Sequence, residues 1–118
     1  MEWFIAKLVY QIQSGEGNHR PQFDEQLRLI QADDFSSALS KAKEVGIDQQ
    51  STFFNINKEL VSWKFVDIVA LDKVNSVSDK SEVYSEIVEA DSANEYLSDL
   101  KIKARKVRRQ LIQVEHYI

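Results

Sequence analysis

Phe23–Gly46 reads FDEQLRLIQADDFSSALSKAKEVG, and its hydrophobic period changes halfway along. Phe23, Leu27 and Leu29 alternate with Asp24, Gln26 and Arg28, the two-residue period of a half-buried strand, which predicts a strand ending near Ala32. From Asp33 the period becomes helical. Phe35, Ala38, Leu39, Ala42 and Val45 fall on one stripe, Asp33 stands where a cap would accept from free N–H groups, and Gly46 can take the left-handed conformation that ends a helix. A strand feeding directly into a helix with nothing but an apolar stripe to offer is expected to lay that helix over one face of a sheet.

The segments on either side supply the rest of the sheet. From Trp3 to Ile12 the even positions Phe4, Ala6, Leu8, Tyr10 and Ile12 make one apolar face, and Trp3, Ile5 and Val9 make the other apolar too. A strand apolar on both faces is expected in the middle of a sheet. Ser14–Pro21 gathers two glycines, an Asn and the single proline into a hairpin connection. After the helix, STFFNI and LVSWKFVDIVAL read as strands joined around Asn57 and Lys58, and SEVYSEIVEA (81–90) reads as one more beyond a polar connection. The expected fold is α+β: an antiparallel sheet of about five strands, order β-β-α-β-β-β-α, with one helix on a face and a long helix at the end.

At 118 residues the chain fits one domain. Residues 1–90 are expected to form the α+β sheet domain, and 91–118 a heptad-patterned helix that belongs to it or serves as a dimerisation element. With no cysteine, disulfides and thiolate chemistry are excluded, and a cytoplasmic home is the default expectation. Glu2 and Lys7 interrupt the apolar start and no small-residue cleavage site follows, so MEWFIAKLVYQI reads as a strand rather than a signal peptide. No stretch approaches the roughly 20 apolar residues a membrane span requires, so no membrane partner is expected.

Beyond Ser92 there is neither Gly nor Pro, and Leu97, Leu100, Ala104, Val107, Leu111, Val114 and Ile118 recur at steps of three and four. That is a heptad seam, about 40 Å long if the helix is unbroken from Ser92. A seam that overhangs a small sheet domain needs a cover, and a second copy of the chain is the simplest, which makes a homo-oligomer, a dimer first, the expected partner. In a parallel pair Lys103 would oppose Arg108 of the other chain, so an antiparallel or sheet-assisted pairing is favoured. The same helix carries six cations, Lys101, Lys103, Arg105, Lys106, Arg108 and Arg109; with the chain at −4 overall, they leave about −10 on the remainder. Such asymmetry can mark a nucleic-acid surface, or a helix lying against acidic surroundings.

Catalytic constellations are not visible. His19 and His116 have no second ligand at metal spacing, no serine sits in a nucleophile elbow, and no glycine-rich phosphate cradle occurs, so neither a metal nor a cofactor is expected. Asp67 interrupts the apolar line of its strand and is expected at a bulge or an edge that admits water. The row Asp24, Gln26 and Arg28, with Lys64 from the long strand, could hold the charged group of a small ligand; Asp24, Arg28 and Lys64 are its candidate contacts. Trp3 and Trp63 are expected in the core.

Three groups of residues together carry a resemblance: W-x-x-A-K-L-V-Y (Trp3–Tyr10); FDEQLRLI leading into A-x-x-x-x-x-A-L-x-K-A (Ala32–Ala42); and VSWKFVDI with EVYSEI. Over roughly Met1–Glu89 the chain resembles a bacterial family of uncharacterised proteins, domain of unknown function 4288. The resemblance implies a small stand-alone bacterial protein, carries no catalytic residue across, and does not extend over the heptad helix. The expected function is therefore a non-enzymatic self-associating or partner-binding module. The alternatives are a nucleic-acid-binding protein using the basic helix, or a ligand-binding protein or enzyme using the polar sheet face.

Overall fold

The computed structural model describes residues 1–117, with side chains through Leu111. The doubly apolar N-terminal stretch forms β1 (Glu2–Ser14), which pairs antiparallel with β2 (Gln22–Ala32) on one side and β4 (Leu60–Val74) on the other. β3 (Ser51–Phe54) pairs antiparallel with Leu60–Trp63 of β4, giving the order β2-β1-β4-β3 with β1 in the interior. The turn between β3 and β4 is held by the Asn55 side chain, whose Oδ1 accepts from Asn57 N and Glu59 N at 2.9 and 3.0 Å.

Helix α1 (Phe35–Asp48) covers the face made by the even residues of β1. It buries Ala38, Ala42 and Gly46, small residues four apart that let its axis come close to Phe4, Ala6, Leu8 and Tyr10 of β1 and Ile30 and Ala32 of β2. Val45, Trp63, Phe65, Ile68 and Leu71 close the same core from its rim. Burying about one methylene contributes roughly 0.8 kcal/mol, so the fully buried Leu8 and Tyr10 anchor the sheet to the helix.

Several sequence expectations are corrected. The sheet has four strands, not about five, and the order is β-β-α-β-β-α. Residues 81–90 alternate like a strand but form none, because alternation without a neighbouring edge to bond leaves the backbone with no ladder. The helix cap is Asp34, not Asp33: Asp34 has extended backbone and accepts from Ser37 N at 2.7 Å. Gly46 does not end α1, which runs on to Asp48; it sits inside the helix against the ring of Phe65.

β4 gains two extra residues over β1, with register shifts opposite Lys7/Leu8 and Val9/Tyr10. Val69 and Val66 are the residues left without Cα partners there, and both are exposed. Asp67 lies between them, exposed, its Oδ1 accepting from Ile68 N at 2.8 Å, which accounts for a carboxylate on an apolar strand.

The chain divides into two compact units, Met1–Ser85 and a second that starts at Glu86. The second holds α2 (Ala93–Tyr117), whose 25 residues extend about 37 Å. Ser92 caps it: its Oγ accepts from Glu95 N at 3.2 Å, the Ser-x-x-Glu spacing of a helix start. Among the described residues no helix is long and apolar enough to cross a membrane.

Candidate functional site

The polar row of β2 lies on the α1 side of the sheet, because Asp24, Gln26 and Arg28 pair with the even residues Tyr10, Leu8 and Ala6. Gln26 Nε2 and Trp63 Nε1 donate to Asp24 Oδ2 at 2.6 and 3.1 Å, and Arg28 Nε and Nη2 donate to Gln26 Oε1 at 3.0 and 2.9 Å. Asp24 on β2 and Trp63 on β4 thus meet over Tyr10 of the intervening strand. The Tyr10 hydroxyl donates to the Gly46 carbonyl at 2.8 Å, its ring lies 5.7 Å from that of Phe65, and Phe53 stacks on Trp63 at 5.9 Å. Burial raises the Tyr10 phenol above its usual range; Arg28 opposes that shift and Asp24 adds to it.

Lys64 does not join this row. It pairs with Gln11, an odd residue of β1, so its side chain belongs to the opposite face from Asp24 and Arg28. Trp3 and Trp63 are parted in the same way: Trp3 is 38% exposed on the face away from α1. Parity along a strand was legible in the sequence, but parity between strands depends on pairing register; the two bulges of β4 shift it by one residue each and so restore it beyond Val66.

A second feature is an open cleft of about 620 Å³ at the β1–β2 hairpin, lined by Ser14, Gly15, Glu16, Asn18, His19, Gln22 and Glu59. Gly15 and Gly17 have φ of 58° and 82°, and Gly15 N donates to Leu60 O at 2.8 Å, pinning the hairpin to the start of β4. His19 spends both ring nitrogens on the loop itself: Nε2 accepts from Ser14 N at 3.1 Å, which leaves Nδ1–H to donate to Arg20 O at 2.8 Å. Among the described residues no three His, Asp or Glu side chains are grouped to hold a metal ion.

The third feature is α2. All its described residues are exposed, including the seam positions Leu97 (53%), Leu100 (40%), Ala104, Val107 (66%) and Leu111 (61%). At 3.6 residues per turn Lys101, Arg105 and Arg108 run along one flank of that seam, Lys103 lies on the other flank, and Lys106 and Arg109 lie behind. Val114, His116 and Ile118 lie outside the residues whose side chains are described.

The fold and these surfaces define a small α+β domain, a four-stranded antiparallel sheet with one covering helix, followed by an amphipathic helix in a separate unit. The chain belongs to the family described as Domain of unknown function (DUF4288), whose profile matches residues 3–85. That match ends at Ser85, the last residue of the first unit, so α2 lies outside the family's shared part. No curated protein and no solved structure matches the chain.

Proposed function

We propose that this protein is a non-enzymatic module that associates with itself or with a partner protein, using the seam of α2. The observation that carries this reading is the exposure of Leu97, Leu100, Val107 and Leu111 along one stripe of a 25-residue helix. An isolated apolar stripe of that length is what helix pairing buries, and the flanking cations bias which orientation is chosen. Sedimentation velocity across a concentration series tests it. Self-association that weakens at least about tenfold on Leu100→Glu with Leu111→Glu supports the reading, a charge in a packed seam being worth well over the 1.4 kcal/mol that tenfold represents. A monomer at every concentration that also captures no protein partner overturns it.

A nucleic-acid reading draws on a different observation, the absence of any acidic side chain between Leu100 and Leu111 among six exposed cations. The first unit offers such a ligand little support, since 13 of its residues are acidic and 9 are Lys or Arg.

A further inference from the structure

The outer edge of β2 is open, and the backbone shows which of its groups are unpaired. Gly15 N donates to Leu60 O, so odd residues of β1 turn their amide and carbonyl groups toward β4 and even ones toward β2. The even residues of β2, which stand opposite the even residues of β1, are therefore bonded within the sheet, and Phe23, Glu25, Leu27 and Leu29 point their N–H and C=O groups outward. Two further bonds agree with that parity. Lys41 Nζ reaches the outward carbonyl of Gln31 at 2.8 Å, and on β4 the Phe65 N–H, opposite the even Tyr10, donates outward to Gln50 Oε1 at 3.0 Å.

Two devices that discourage strand addition are absent from this edge: β2 has no bulge against β1 and no proline inside it, and its only charges are Asp24, Glu25 and Arg28. Its outward residues also carry exposed apolar side chains, Phe23 at 55%, Leu27 at 59% and Leu29 at 48%. The open stretch has defined limits. Pro21 before it has no N–H to offer, and the Gln31 carbonyl beyond it is already taken by Lys41. Between those limits the midpoint is Gln26.

We propose that β2 pairs antiparallel with β2 of a second copy, about a two-fold axis at Gln26, so that the two sheets become one. The sequence is self-complementary in that register. Asp24 stands opposite the second copy's Arg28 and Arg28 opposite its Asp24, in non-hydrogen-bonded pairs where side chains come closest. The recorded bonds of these two use Oδ2 of Asp24 and Nε and Nη2 of Arg28, leaving Oδ1 and Nη1 for the other chain. On the opposite face Phe23 meets Leu29, and Glu25, already paired with Lys7 at 3.1 Å, stands beside Leu27. Neighbouring registers are worse. Moving the axis to Glu25 sets that carboxylate against its own copy, and moving it to Leu27 sets Phe23 against Gln31, whose carbonyl Lys41 occupies.

This inference rests on the self-association reading but places part of the contact on the sheet instead of the helix. The test is amide hydrogen exchange of the full chain at concentrations above and below its association midpoint, together with sedimentation of Leu27→Pro. Proline there removes only an outward N–H, which an edge strand tolerates in the free chain. In the associated protein the amides of Phe23, Glu25, Leu27 and Leu29 exchange at least about tenfold more slowly than in the dilute one, and Leu27→Pro raises the dissociation constant at least about tenfold. If those amides exchange equally fast in both states, the proposal is wrong, and the exchange data decide even where Leu27→Pro does not fold. Association that ignores Leu27→Pro but yields to the α2 substitutions overturns the sheet pairing and leaves the self-association reading standing. A chain that is monomeric at all concentrations overturns the sheet pairing and the self-association half of the proposed function, leaving its partner-binding half to the capture experiment.

Discussion

The Tyr10 hydroxyl donates to the Gly46 carbonyl across 2.8 Å, tying the central strand to the last turn of the covering helix. The last four carbonyls of a helix have no partner within it, and a buried one must find another. Val45 O and Ile47 O are met by the amides of Gln49 and Gln50, while Gly46 O is met by a side chain 36 residues away. Tyr10→Phe keeps the ring against Phe65 and removes the donor, so it is expected to cost about 1–3 kcal/mol in urea unfolding. The phenol's raised pKa sets the sign with pH: the stabilisation is complete below the usual tyrosine range and is lost as pH rises through the folded value. Tyr10→Phe should therefore lose less stability than the parent chain as pH rises above the ordinary tyrosine value of about 10.

Gly46→Ala tests the same contact from the helix side. A Cβ at Gly46 would lie 2.6 Å from Cζ of Phe65, inside contact distance, and that ring is itself packed on Tyr10. The gain in helix propensity from Ala is about 1 kcal/mol in exposed positions, and here overpacking of about 1–3 kcal/mol opposes it. A lower urea midpoint at unchanged m-value is expected; a rise in the midpoint would show that the helix can lift without loss.

The cap of α1 responds to acid. Bonds from the Ser37 backbone and side chain hold the Asp34 carboxyl below its ordinary value. A depressed pKa contributes stability above the unfolded value and loses it as pH falls through the folded one. Asp34→Ala is accordingly less stable than the parent chain near neutrality, and thermal unfolding from about pH 6 down to pH 2 should show that gap closing.

For α2, charge reversal at Arg105 and Arg108 separates helix pairing from nucleic-acid binding. Fluorescence anisotropy with generic duplex DNA and RNA at low salt is the measurement. Under the pairing reading neither nucleic acid binds. Binding whose log–log salt slope approaches −0.9 per neutralised phosphate, and which the reversal abolishes while self-association persists, would instead establish the basic flank as the contact surface.

Sequence alone determined the elements whose period is internal to one segment. The switch at Asp33, the apolar N-terminal strand, the Asn57–Lys58 turn and the heptad run after Ser92 are each written in their own side chains, and each appears as an element or turn. Tertiary structure decided what each element faces. The alternation in β2 showed an apolar line and a polar line without showing which one meets the helix. In the structure the helix lies over the polar line, packing on Ile30 and Ala32, while Phe23, Leu27 and Leu29 stay exposed on the other face. Pairing register likewise set Lys64, opposite Gln11, apart from Asp24 and Arg28. The apparent strand at 81–90 failed for the same reason: alternation fixes which side chains share a face, but a strand exists only where another backbone supplies its hydrogen bonds.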